Sequence, residues 1–261
     1  LEGVVIPEGV TKIGARAFNR CKKLESVVIP ESVTKIGEHA FSSCGIKSVV
    51  IPEGVTEIGE SAFYECKKLK SVVIPEGVTE IGESAFRGCS SLKSVVIPEG
   101  VTEIGDRTFC ECKKLESVVI PKGVTKIGAG AFCACKKLES VVIPKGVTKI
   151  RESAFSSCIS LESVVIPEGV TEIGDGVFSN CKKLKSVVIP KSTRKIGKEA
   201  FENCSSLASV QIMNPRTEIG ERAFYGCRNL DRMILSDDGS VLIYCPPAIA
   251  VGDVVIPESV R

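Results

Sequence analysis

The chain has 261 residues, enough for one large domain or two small ones, and its 34 Lys and Arg nearly balance its 32 Asp and Glu. That balance leaves no bulk field to draw it onto nucleic acid or an anionic membrane. Its apolar runs last only a few residues, as in Val4 to Ile6, against the roughly 20 that cross a bilayer, so neither a nucleic-acid partner nor membrane insertion is expected.

The chain opens at Leu1 with neither Met nor a charged-then-apolar leader. It stops at Arg261 inside Val254-Val255-Ile256-Pro257-Glu258-Ser259-Val260, which is the opening of a repeat, and so reads as part of a longer protein. The repeating phrase is Leu-x-x-Val-Val-Ile-Pro-x-Gly-Val-Thr-x-Ile-Gly-x-x-Ala-Phe-x-x-Cys-x-x, with a period of 23. Its cysteine recurs at Cys21, Cys44, Cys66, Cys89, Cys112, Cys135, Cys158, Cys181, Cys204 and Cys227. Every step is 23 residues except the 22 after Cys44, where Gly45-Ile46 replaces a three-residue link of the Lys22-Lys23-Leu24 kind.

Within one repeat the first predicted element is a strand. In Leu24-x-x-Val27-x-Ile29-Pro30, period-2 alternation sends Val27 and Ile29 to one side and Ser26 and Val28 to the other, and the proline ends the run. Ser32, or the Gly of that column, opens a turn, after which Val33 and Ile36 return inward. Ala40-Phe41-x-x-Cys44 is expected to close the coil as a short helical turn. One such unit cannot bury its own apolar face, so neighbours must stack around a shared core. All ten Phe, from Phe18 to Phe224, fall on one column and predict an internal aromatic ladder. At about 4.8 Å per strand spacing, eleven rungs give an elongated or gently curved body about 50 Å long. The eleventh unit departs from the pattern. Met233-Ile234-Leu235 keeps the strand, and Asp237 to Tyr244 predicts a hairpin turn and a second strand before Val254-Val255-Ile256-Pro257 resumes the repeat. The expected organisation is one domain over 1–261: regular repeats over 1–229, a divergent hairpin-containing repeat over 230–252 and the start of a further repeat over 253–261.

The phrase Ile-Pro-x-x-Val-Thr-x-Ile-Gly-x-x-Ala-Phe-x-x-Cys-x-x-Leu resembles the BspA-type leucine-rich repeat, also called the Treponema pallidum type, in ten consecutive matches. Asp238 to Pro246 also resembles that family's inter-array junction. The resemblance implies a mainly β, right-handed leucine-rich repeat solenoid of parallel strands, an extracellular or cell-surface location, and adhesion to host matrix proteins or other cells. It supplies no catalytic motif, and it points the ten column thiols inward as reduced, small apolar groups.

Catalysis is not expected from the residues either. There is one histidine, His39, read as a solvent-facing variant of its column. There is no nucleophile elbow and no phosphate loop, and carboxylates recur by column instead of converging. No cofactor or metal site is predicted. Cys110 and Cys133 stand apart, each two residues before a column cysteine and 23 residues from the other; a cross-rung disulfide, two free thiols and a weak Cys-x-Cys metal site all remain open.

The candidate interaction face is the outward valine column, Val28, Val50, Val73, Val96, Val119, Val142, Val165 and Val188, beside a parallel serine column. Charge also falls in columns, acidic at Glu57, Glu80 and Glu103 and then basic at Lys126 and Lys149, with a broken lysine ridge along one edge. A threonine column beginning at Thr11 is flanked by Lys or Glu and lacks the two-dimensional array of an ice-binding surface. Two functions fit: a protein-interaction or adhesion module whose ligand is a protein or a glycan, and, as the alternative, a passive stalk presenting another domain. A cut repeat array also predicts weak homodimers through its uncapped ends or the valine stripe.

Overall fold

The computed structural model describes residues 2–230 and, beyond them, the strands Ile234–Leu235 and Leu242–Tyr244. Each repeat contributes two short strands. The first, such as Ser26–Val28 or Ser48–Val50, alternates exposed, buried and exposed, as the period of two requires. These strands lie parallel and in register on their neighbours, with Ser71 opposite Ser48, Ser117 opposite Ser94 and Ser163 opposite Ser140. The second strand is two residues long, Lys35–Ile36 in one rung and Glu57–Ile58 in the next, and it turns its isoleucine into the core. Second strands stack as a four-stranded sheet ending at Glu80–Ile81 and a six-stranded sheet beginning at Glu103–Ile104.

The Ala-Phe-x-x-Cys segment corrects the expectation of a helical turn: among the described residues no helix forms. Its amides alternate between two kinds of partner. In the second rung Ala40, Ser42 and Cys44 donate three residues back, to the Gly37, His39 and Phe41 carbonyls. His39, Phe41 and Ser43 donate instead to Glu60, Ala62 and Tyr64 of the following rung. That alternation needs left-handed backbone at His39 (φ 51°) and Ser43 (φ 57°), which stops helical progression. The strain, of order 1 kcal/mol per residue, is offset by the amide ladder it permits.

The core is a stack of columns. Leu24, Val33, Ile36, Ala40 and Phe41 are fully buried in one rung, and their counterparts follow in the others. Successive phenylalanine rings from Phe18 to Phe224 lie nearly parallel, with centroids between 5.2 and 5.6 Å apart. The distance exceeds ring thickness, so the rings are offset, the arrangement favoured by their quadrupoles.

Glycine suits the places where rungs approach closely. A Cβ on Gly59 would lie 2.8 Å from backbone atoms of Gly37 and Glu38 in the rung before. At Gly45, in the shortened rung, a Cβ would run into the Lys22 carbonyl oxygen; the missing residue draws the chain inward there, and Ile46 fills the leucine position completely buried.

At the far end Ile234–Leu235 pairs antiparallel with Leu242–Tyr244, the two strands of the expected hairpin. The connecting turn, Cys245 and the resumed phrase near Val254 lie outside the described residues.

Candidate interaction face

A β-branched residue at the centre of a parallel rung must point either into the core or away from it, and the in-register stacking repeats that choice along the whole array. Val27 and its counterparts go inward. Val28, Val50, Val73, Val96, Val119, Val142, Val165 and Val188 all stand outward, each between 51 and 73% exposed, and Val5 extends the row to the first rung. Gln211, opposite Val188, ends it. Registered neighbours such as Val96 and Val119 are adjacent across a paired ladder, and such pairs follow one another along the array. The serine column beside it, from Ser26 to Ser209, is exposed throughout.

Beyond the serines lies a charged edge. Glu25 accepts from Lys47 at 2.6 Å and from Lys68 at 3.0 Å, and these hydrogen bonds hold its carboxyl below the usual range. Glu162 is lowered in the same way, chiefly by Lys185 at 2.8 Å. On the second-strand side, ion pairs form where the column changes sign, at Lys35–Glu57, Lys126–Glu103 and Lys195–Glu172. The face is thus an apolar stripe with polar borders of mixed sign.

Arg151, the one departure from glycine in its column, ties rungs together. Its guanidinium reaches Asp106 at 3.2 Å across an intervening rung that offers only Gly128 and Ala129, and Asp106 also accepts from the Ala129 amide at 2.8 Å. An open cleft of about 540 Å³ lies beside it, where Lys126, Lys149 and Lys195 face Glu152, Glu172 and Asp175. The mixed signs give that cleft no net field for one ligand charge. His39 is half-buried, with Nε2 3.7 Å from Glu38, so it is less solvent-facing than the sequence suggests. No group of three or more metal-ligating side chains converges among the described residues, and they contain no helix long and apolar enough to cross a membrane.

The column cysteines do more than fill space. Each thiol from Cys44 to Cys227 donates to the phenylalanine carbonyl of the preceding rung at 3.0 to 3.3 Å, Cys66 to Phe41 and Cys112 to Phe86 among them. Reading the column as an apolar filler missed this cross-rung bond. The available signal was that the position is always Cys, never Ala or Val, which a mere filler would not require. Burial pushes the thiols of Cys44 up to about 11 and of Cys66 and Cys181 up to about 12. Threonines do the same on another edge, with Thr34 Oγ1 donating to the Thr11 carbonyl at 3.1 Å and Thr125 to Thr102 at 3.3 Å.

Cys110 and Cys133 are both free thiols in adjacent rungs, the first buried and the second half-buried.

This geometry has relatives of known structure. The chain is similar to a leucine-rich repeat protein from Bacteroides ovatus at 31% identity and a TM-score of 0.74, over 90% of this chain and 68% of that one. A leucine rich cell surface protein from Faecalibacterium prausnitzii is 36% identical with a TM-score of 0.59, over 81% of this chain and 60% of that one. The T. pallidum leucine-rich repeat protein is 30% identical with a TM-score of 0.53, over 70% and 78% of the two chains. No curated protein matches the sequence. The model of the BspA type leucine rich repeat region matches residues 1–116 and 102–231, and the chain therefore belongs to the BspA-type leucine-rich repeat family.

Proposed function

We propose that this chain is a non-catalytic protein-interaction module of a cell-surface or secreted protein, and that it docks a host or neighbouring-cell macromolecule on the valine face. The observation that carries the reading is the unbroken outward row from Val5 to Val188, each more than half exposed on rigid, in-register strands. Contiguous exposed apolar surface with a polar rim is the ordinary signature of a docking surface. Beta propensity alone would explain a valine here and there. It does not explain the choice of Val over Thr at every one of these outward positions, since Thr serves a strand equally well and faces water at lower cost. The name of the Faecalibacterium relative supports a surface location.

The test is capture of host matrix and microbial surface proteins by the chain, with wild type compared against Val96→Lys/Val119→Lys. Two buried charges at the centre of a docked face should reduce binding at least about tenfold. Equal capture by both would remove the valine face as the site, and no capture by either would favour the passive stalk.

A further inference from the structure

Cys110 and Cys133 are the two described cysteines outside the Phe-x-x-Cys column. Each directly follows a ladder phenylalanine, Phe109 or Phe132, in adjacent rungs. The backbone clamps them side by side: Phe109 N–H donates to the Ala131 carbonyl at 2.8 Å and Glu111 N–H to the Cys133 carbonyl at 2.7 Å. Rungs about 5 Å apart place their α-carbons within the span of a disulfide. The column cysteines also stack rung on rung, but Cys204 and Cys227, for example, are buried in the core and bonded to the Phe178 and Phe201 carbonyls.

The two thiols differ in access. Cys110 is only 7% exposed, whereas Cys133 is half-buried. Its own turn carries the small residues Gly130 and Ala134. A small molecule therefore reaches Cys133 first.

We propose that Cys133 and Cys110 form a thiol–disulfide exchange site for low-molecular-weight disulfides, with Cys133 the attacking nucleophile and Cys110 the resolving thiol. The Cys133 thiolate attacks one sulfur of the small disulfide. That S–S bond breaks, one thiolate leaves and takes a proton from water, and the other half stays bonded to Cys133. Cys110 then loses its proton to solvent and attacks the Cys133 sulfur, expelling the second small thiol. The protein gives up two electrons and two protons, and one small disulfide becomes two small thiols.

The surroundings favour this order of events. The neighbouring Cys110 thiol lowers the Cys133 thiol below its ordinary value; burial and Glu111 oppose the shift, and the Arg87 and Arg107 guanidiniums assist it. Cys110 is raised by the neighbouring Cys133 and by burial, so it is the later of the two to lose its proton. Arg87 pairs with Glu111 at 3.4 Å, and the next rung presents uncharged Ser156 and Ser157 at the corresponding positions.

The experiment treats the folded chain with oxidised glutathione, quenches with acid and maps the cysteine peptides by mass. A Cys110–Cys133 linked peptide with unmodified column cysteines is expected. C110S should stall as a glutathione adduct on Cys133, and C133S should react at least about tenfold more slowly than wild type. Alkylation of wild-type Cys133 by iodoacetamide should set in at lower pH than that of an ordinary thiol, and C110S should move its onset upward. Absence of the linked peptide under excess oxidised glutathione would overturn the proposal, and this outcome needs no variant to fold. Equal adduct formation in C110S and C133S would overturn the assignment of roles.

Discussion

Phe132 is fully buried between Phe109 and Phe155, whose ring centroids lie 5.5 and 5.3 Å away, while Val142 in the next strand is 73% exposed. Truncating the first opens a cavity in a column that neighbouring rungs cannot collapse into; truncating the second removes side-chain atoms from water. Phe132→Ala should therefore cost about 3 to 5 kcal/mol, and Val142→Ala about 0.5 kcal/mol or less. Equal shifts in urea midpoint would contradict the inside–outside assignment. At this scale the sequence was highly legible, because period-2 alternation and a fixed repeat place every core residue once one has been placed. Two things were not legible. The column thiols bond across rungs, and Arg151 reaches Asp106 two rungs away. Each depends on how adjacent coils align, which the repeat length alone does not specify.

At the scale of the element, the strands were predictable and the closing turn was not. Ala-Phe-x-x-Cys has the i, i+3 apolar spacing of a helical turn, and one turn is too short to distinguish that spacing from a ladder in which every second amide serves the neighbouring rung. The ladder also places the cysteine inside the core, with a consequence for alkaline stability. Burial raises the Cys66 and Cys181 thiols from 9.0 to about 12 in the folded chain. Below pH 9 both states hold these protons and stability is indifferent to them. Between about 9 and 12 the unfolded chain releases protons that the folded chain retains, so stability falls as pH rises, by up to about 1.4 kcal/mol per pH unit for each such thiol. The urea midpoint is expected to drop steeply above about pH 9. A Cys66→Ala/Cys181→Ala variant should start lower but fall less steeply, and parallel curves would show that these thiols do not set the slope.

For the molecule as a whole, stacking identical rungs carries every local choice along the full array, so the outward valines become a surface instead of isolated residues. Such a face should also meet copies of itself. Sedimentation across a concentration series is expected to show weak, concentration-dependent dimers that Val96→Lys/Val119→Lys abolishes, and a strictly monomeric wild type at high concentration would refute this. Stacking has an electrical consequence as well. On the turn edge three amides per rung, at His39, Phe41 and Ser43 in the second, donate toward the C-terminal neighbour. On the other edge Thr34 and Gly37 donate toward the N-terminal neighbour, and the Cys44 thiol points the same way. The peptide dipoles of the two edges thus run antiparallel and largely cancel, in contrast to an α-helix, whose aligned dipoles leave partial charges at its ends. A coil of this kind can add rungs without building up an axial dipole, so the electrostatics of its backbone place little limit on its length.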